Sequence, residues 1–237
     1  MKSLKKMFAL SFVVLLASCS NDSNEGKIQL KLSAVTNSNS TGKSLTLTGK
    51  GNENVVFTDF KISIRDVVFK NDDDPTSNLD TDEIQFRGPY QVDLLNGTDA
   101  LTQTIGNVIV PDGLYKELRF KFHKDEDAPI TDDLYDKSIF IEGTIDGTPF
   151  VFWHDTSENL DVGRSTGVQV TDGTVNFTVT FDISQFLNSF NEIDLSLAVD
   201  NNQDGVIEIH PNDEDGNQDL SDKLKDNIKA TADIIDN

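Results

Sequence analysis

Val175-Asn176-Phe177-Thr178-Val179-Thr180-Phe181-Asp182-Ile183 alternates apolar and polar side chains without a break. Successive side chains of an extended chain point to opposite faces. The stretch therefore reads as an antiparallel strand with Val175, Phe177, Val179, Phe181 and Ile183 toward a core and Asn176, Thr178, Thr180 and Asp182 toward solvent. The same period recurs at Ile28, Leu30 and Leu32, at Phe60, Ile62 and Ile64, at Leu118, Phe120 and Phe122, and at Leu195, Leu197 and Val199. Asp146-Gly147 and Asp172-Gly173 lie between apolar runs and supply the positive φ angles of a tight hairpin. The fifteen phenylalanines suit pleated sheets with one covered face. The fold expected is mainly β, an antiparallel β-sandwich of Greek-key or prealbumin-like connectivity over residues 27–200.

Helix is scarce until the end. Ser184 to Phe190 can turn once or twice, with Phe186, Leu187 and Phe190 toward the core. In residues 220–237, Leu220, Leu224, Ile228, Ala232 and Ile235 fall on one helical face, and Asp219 is placed to cap the amino end. This predicts a short C-terminal α-helix lying against the sandwich.

The beginning of the chain reads as a targeting segment. Lys2, Lys5 and Lys6 precede an apolar run from Met7 to Ala17, which is too short to span a bilayer. Leu16-Ala17-Ser18-Cys19 resembles a lipobox, which implies a signal peptide over residues 1–18, lipid on Cys19, and a membrane tie through that lipid. Residues 19–26, rich in Ser, Asn and Asp, are expected to form a flexible tether. Ser20 after the cysteine resembles lipoproteins sent to the outer membrane, and the acidic Asn21 to Glu25 stretch resembles an export signal for the cell surface. The expected location is the bacterial cell envelope, as an outer-membrane lipoprotein exposed at the surface. Cys19 is the single cysteine, so no disulfide is expected to brace the fold.

Removing residues 1–18 takes away three of the 20 basic residues and none of the 41 acidic ones, leaving 17 against 41 and a net charge of −24. Such a surface argues against nucleic acid and favours cations, cationic partners or simple solubility. Most of the acid lies in loops, at 71–82, 125–136 and 200–219; the first two read as solvated tips.

The third carries the one pattern with metal chemistry. Asp200-Asn201-Asn202-Gln203-Asp204-Gly205-Val206-Ile207-Glu208 matches the opening of an EF-hand-type loop. Asp200, Asn202 and Asp204 offer oxygens at the first, third and fifth positions. Gly205 permits the bend, Val206 offers its carbonyl, and Glu208 stands ninth. Pro211 occupies the twelfth position, where a bidentate glutamate belongs. Asp213, Glu214 and Asp215 are the nearest replacements, and Asp213, Asp215, Asn217 and Asp219 repeat the alternating spacing. A structural Ca2+ is expected, with Asp200, Asn202, Asp204, Val206, Glu208, Asp213 and Asp215 as the ligand set.

No enzyme motif stands out. His123 reads as a surface residue on a polar strand face. His154 with Asp155 and Glu158 is a weak metal or proton-transfer candidate, because adjacent strand residues point to opposite faces. His210 is a poor ligand for a hard cation. Trp153, Tyr90, Tyr115 and Tyr135 could stack on sugars, although Trp153 after Phe150-Val151-Phe152 suits core or rim better.

The order of Gly26-Lys27-Ile28-Gln29-Leu30-Lys31-Leu32, Phe60-Lys61-Ile62-Ser63-Ile64, Val92-Asp93-Leu94-Leu95-Asn96-Gly97 and Val110-Pro111-Asp112-Gly113-Leu114-Tyr115 resembles a bacterial lipoprotein family of unknown function, domain family 4382. The resemblance covers residues 27–200 and implies an extracytoplasmic prealbumin-like sandwich without known catalytic residues. The reading is a non-enzymatic, calcium-stabilised binding or adhesion module for a glycan or protein ligand. Its rivals are a carbohydrate-binding component of a glycan-uptake system and a hydrolase with a carboxylate pair.

Overall fold

The computed structural model describes residues 24–36, 45–97, 99–188 and 193–235. Residues 1–18, expected as a signal peptide, lie outside the described residues, as do Cys19 and Phe190. Thirteen strands and one α-helix follow in order: β1 (Glu25–Val35), β2 (Leu45–Thr48), β3 (Asn54–Asn71), β4 (Tyr90–Asn96), β5 (Asp99–Ala100), β6 (Thr102–Pro111), β7 (Gly113–Phe122), β8 (Ile139–Ile145), β9 (Thr148–His154), β10 (Asn159–Val170), β11 (Thr174–Asp182), β12 (Ile207–Ile209), α1 (Gln218–Ala230) and β13 (Ala232–Ile235).

They build the expected β-sandwich. One sheet has the order β13-β11-β1-β6, and the other runs β10-β7-β3-β8-β9-β12, with β2 and β4 also on β3 and β5 on β4. β3 is the spine of the larger sheet. Its Ile62 pairs with Ile139 on one edge and Val92 on the other, and its Ile64 with Phe122 and Tyr90. One edge therefore serves β8 and then β7, the other β2 and then β4. Pairing is antiparallel apart from β1 with β11 and β9 with β12.

The apolar faces meet as the alternation requires. Ile28, Leu30, Leu32, Phe177, Val179 and Phe181 are fully buried, as are Ile62, Ile64 and Phe122. Rings cross between the sheets, Phe69 to Phe177 at 5.2 Å and Phe120 to Phe181 at 6.4 Å. Thr178 and Thr180, assigned to solvent by alternation, are buried too.

Asp146 (φ 49°) and Gly147 (φ 85°) form the expected two-residue turn between β8 and β9. Asp172-Gly173 does not make a hairpin. β10 pairs with β7 and β11 with β1, so that turn carries the chain from one sheet to the other. Leu195 to Val199 is not a strand: residues 195–197 form a 3₁₀ turn whose Asp194 side chain accepts from Ser196 N, leaving Leu197 65% exposed. β1 begins at Glu25, inside the predicted tether.

The helix is shorter than its apolar period suggested. Leu220, Leu224 and Ile228 are its buried face, but it ends at Ala230, and Ala232 to Ile235 pair with β11. The open backbone edge of β11 satisfies more donors and acceptors than another helical turn would. Asn217, not Asp219, occupies the N-cap position, and Asp219 lies in the first turn. The chain after residue 200 therefore joins both sheets, the larger through β12 and the smaller through β13, with α1 between.

Candidate functional site

The acidic loop after residue 200 is built from buried anchors outward. Asp215 is 0% exposed, and its carboxylate accepts from the backbone N–H groups of Asn201 (2.9 Å), Asn202 (3.1 Å) and Glu208 (2.9 Å). Asp213, also buried, accepts from His210 N, Gly216 N and Asn217 N. Asn217 donates to the carbonyls of Val199 (2.9 Å) and Glu208 (2.7 Å) and accepts from Val199 N (3.1 Å). These three side chains do the pairing that a strand neighbour would do elsewhere. Asp213 and Asp215, expected as ligands, thus have oxygens directed at backbone donors.

The first part of the loop is arranged differently. Asp200 Oδ2 accepts from Gly205 N at 3.0 Å, closing the loop across its mouth, while Asp200 Oδ1 is shut from solvent without a hydrogen bond. Gly205 has φ +92°, a region closed to most side chains. Asn202 Oδ1 accepts from Asp204 N, and Asp204 Oδ1 from Val206 N. Asn202 Nδ2 faces both Asp204 Oδ2 (3.3 Å) and Glu208 Oε2 (3.5 Å). Asn202, Asp204 and Glu208 therefore converge on one point. The Glu208 carboxyl is pushed up from its ordinary range, first by burial and then by the carboxylates of Asp204, Asp215, Asp213 and Glu214. Val206 is half-buried beside them. Among the described residues, no three His, Cys, Asp or Glu side chains already stand as a metal-binding group.

Beside this loop, His210 stacks on Trp153 with ring centroids 4.3 Å apart and planes 17° from parallel. Its Nδ1 accepts from Asn212 N, and burial holds its pKa low. One face of Trp153 is thus taken by the protein. Tyr115 is buried and Tyr90 packs on Phe86. Among the described residues, no ring contact joins any two of Trp153, Tyr90, Tyr115 and Tyr135 into a platform.

A carboxylate pair does occur at Asp59 and Glu142, directly opposed on β3 and β8. Burial first, and then the Asp133 and Asp59 carboxylates, push the Glu142 carboxyl up. Asp59 is paired with Lys61 at 2.8 Å, however, and Lys61 also holds Asp133 at 2.6 Å.

The acidic loops expected as solvated tips are partly structural. Asp73 Oδ2 accepts from Leu114 N and Asp72 Oδ2 from Lys116 N, prolonging the β3–β7 ladder through side chains. Asp125 is buried and accepts from Gln91 Nε2.

His154 lies 8% exposed in the seam between β9 and α1. Its Nδ1 stands 3.7 Å from Asp155 and its Nε2 3.5 Å from Asp222, both outside hydrogen-bonding geometry. Burial, helped by the Lys225 ammonium, lowers its pKa against the pull of Asp222 and Asp155. A histidine depressed in the folded state contributes stability above its unfolded pKa of about 6.5 and loses it as the pH falls below. Acidification from about pH 7 to about pH 5.5 is therefore expected to lower the melting temperature more in the wild type than in His154→Gln. Equal pH slopes in thermal melts would refute this.

No family model matches this sequence, and no curated protein matches it. Among solved structures, MbnP from Methylosinus trichosporium is similar, at 13% identity, over 74% of this chain and 81% of that one, with a TM-score of 0.42.

Proposed function

We propose that the protein is a lipid-anchored β-sandwich binding module of the bacterial cell envelope, stabilised by calcium in the Asp200 to Glu208 loop. The observation that carries this reading is the convergence of Asn202, Asp204 and Glu208 beneath a loop closed by Asp200 and Gly205. The donors are hard oxygens, which suit Ca2+, and the unpartnered Asp200 Oδ1 is a further one. Asn202 Nδ2 supplies the positive charge density that the two carboxylates need. A cation would replace it, with the amide turned to present its oxygen. Asp200, Asn202, Asp204, Glu208 and the Val206 carbonyl would hold the ion, and Asp213 and Asp215 would fix the backbone that carries them. When bound, calcium supplies structural stability at the junction that ties both sheets together. Lipid on Cys19 and membership of family 4382 belong to the same proposal.

The test is calcium titration of the full chain by calorimetry after chelation, paired with thermal melts. Saturation at about a hundred times Kd adds about 2.7 kcal/mol, a rise of roughly 5–10 °C for a domain of this size. Asp204→Ala is expected to abolish that rise while melting like the wild type in chelator. Equal melting of wild type and variant under both conditions would overturn the calcium reading.

A further inference from the structure

The β6 strand is ten residues long and pairs, among the described residues, with β1 alone. Its second edge is closed only near its start, where the Gln103 side chain donates to Gln91 O (2.8 Å) and accepts from Asp93 N (3.3 Å) on β4. From Gly106 onward no further hydrogen bond of this kind is made among the described residues, although the Phe86 ring packs on Gly106, and Ile109 is 63% exposed. An open strand edge is a template for a further strand.

A cleft of about 250 Å³ lies at the end of this edge, between Val110 and Pro111 of β6 and the loop that follows β3. Phe69 and Tyr115, in edge-on contact at 6.5 Å, form its floor. Its rim carries Asp74, Asp82 and Glu83. The wall is rigidly built: Asp82 accepts from Ser77 Oγ and Asn78 N, Asn71 N donates to Ser77 Oγ, and Asp72 and Asp73 bind β7. Burial pushes the Tyr115 phenol up, against a hydrogen bond from Asn71, and the carboxylates of Asp112, Asp82 and Asp74 add to the rise. No lysine or arginine lines the cleft.

We propose that the open edge of β6 and this cleft form a docking site for an extended, basic segment of a partner protein, pairing with β6 from Gly106 to Val110 and placing a lysine or arginine side chain in the cleft. Charge complementarity selects this occupant. A second copy of the chain would bring another acidic rim and a net charge of −21 to the same edge, which opposes pairing between copies.

The experiment uses the full-length chain in detergent and a fluorescent peptide of alternating Lys and Val, followed by anisotropy and by hydrogen exchange. Binding is expected to weaken about tenfold on Glu83→Lys with Asp74→Asn, and to weaken with salt. Glu83 makes no hydrogen bond through its side chain among the described residues, and Asp74→Asn keeps an oxygen to accept from Thr76 N and Oγ1, so the double variant is expected to melt close to the wild type. Bound peptide should slow amide exchange in Gly106 to Val110. Equal binding of a Glu–Val peptide, binding without protection of β6, or protection that grows with protein concentration alone would each overturn the proposal, the last in favour of a second copy.

Discussion

Asp215→Ala is expected to remove about 3 kcal/mol or more of stability, although the residue is not part of the apolar core. Its carboxylate serves three backbone donors at a site with no solvent exposure. Each buried N–H left without a partner costs about 1–3 kcal/mol, and the loss falls on a fold whose whole margin is about 5–15 kcal/mol. Asp215→Asn sharpens the test. It keeps the size but turns an NH2 group toward a backbone N–H, so it is expected to recover only part of the loss. Urea unfolding in chelator measures both. If Asp215→Ala unfolds within about 0.5 kcal/mol of the wild type, the buried carboxylate is not the anchor described.

Phe186→Ala is expected to cost about 3–5 kcal/mol, the range for emptying a large aromatic site. Phe186 is 1% exposed, and its ring lies 5.6 Å from Phe57 and 5.8 Å from Phe60. Its carbonyl accepts from Asn227 Nδ2 of α1, so the turn that carries it also seats the helix. A cavity there would loosen both the β3 spine and the helix contact. Phe186→Leu fills most of the volume and is expected to lose less than half as much. Equal losses for the two variants would show that bulk alone recovers nothing and that the ring contacts carry the effect.

Much of the sandwich was legible because alternation is a local signal. β1, β3, β7 and β11 were visible in Ile28 to Leu32, Phe60 to Ile64, Leu118 to Phe122 and Val175 to Phe181. The errors arose where distant chain decided the outcome. Leu195, Leu197 and Val199 alternate like a strand, yet Asp194 turns the backbone before a ladder can form. Ala232 and Ile235 continue a helical period, yet the edge of β11 draws them into a strand. Asp172-Gly173 has hairpin chemistry, but pairing partners far along the chain set the sheets to which its flanks belong.

At the candidate site the spacing identified Asp200, Asn202, Asp204 and Glu208, which the fold brings together. It could not distinguish them from Asp213 and Asp215, whose role depends on which backbone N–H groups the loop presents to them. Asn217, with its three bonds to Val199 and Glu208, left no trace in the spacing at all.

Asn24 accepts a hydrogen bond from Asp112, which places the entry of the chain at the turn between β6 and β7. Cys19 is five residues earlier, a reach of at most about 18 Å. β12 begins opposite Phe150, near the other end of β3, roughly 40 Å along the sheet at strand spacing. Lipid on Cys19 would therefore hold the domain by one end, with the Asp200 loop toward the opposite end. That distance is several times the screening length of about 8 Å in physiological salt. Cations gathered against a charged membrane would not reach the loop, so its occupancy would follow the calcium of the surrounding medium.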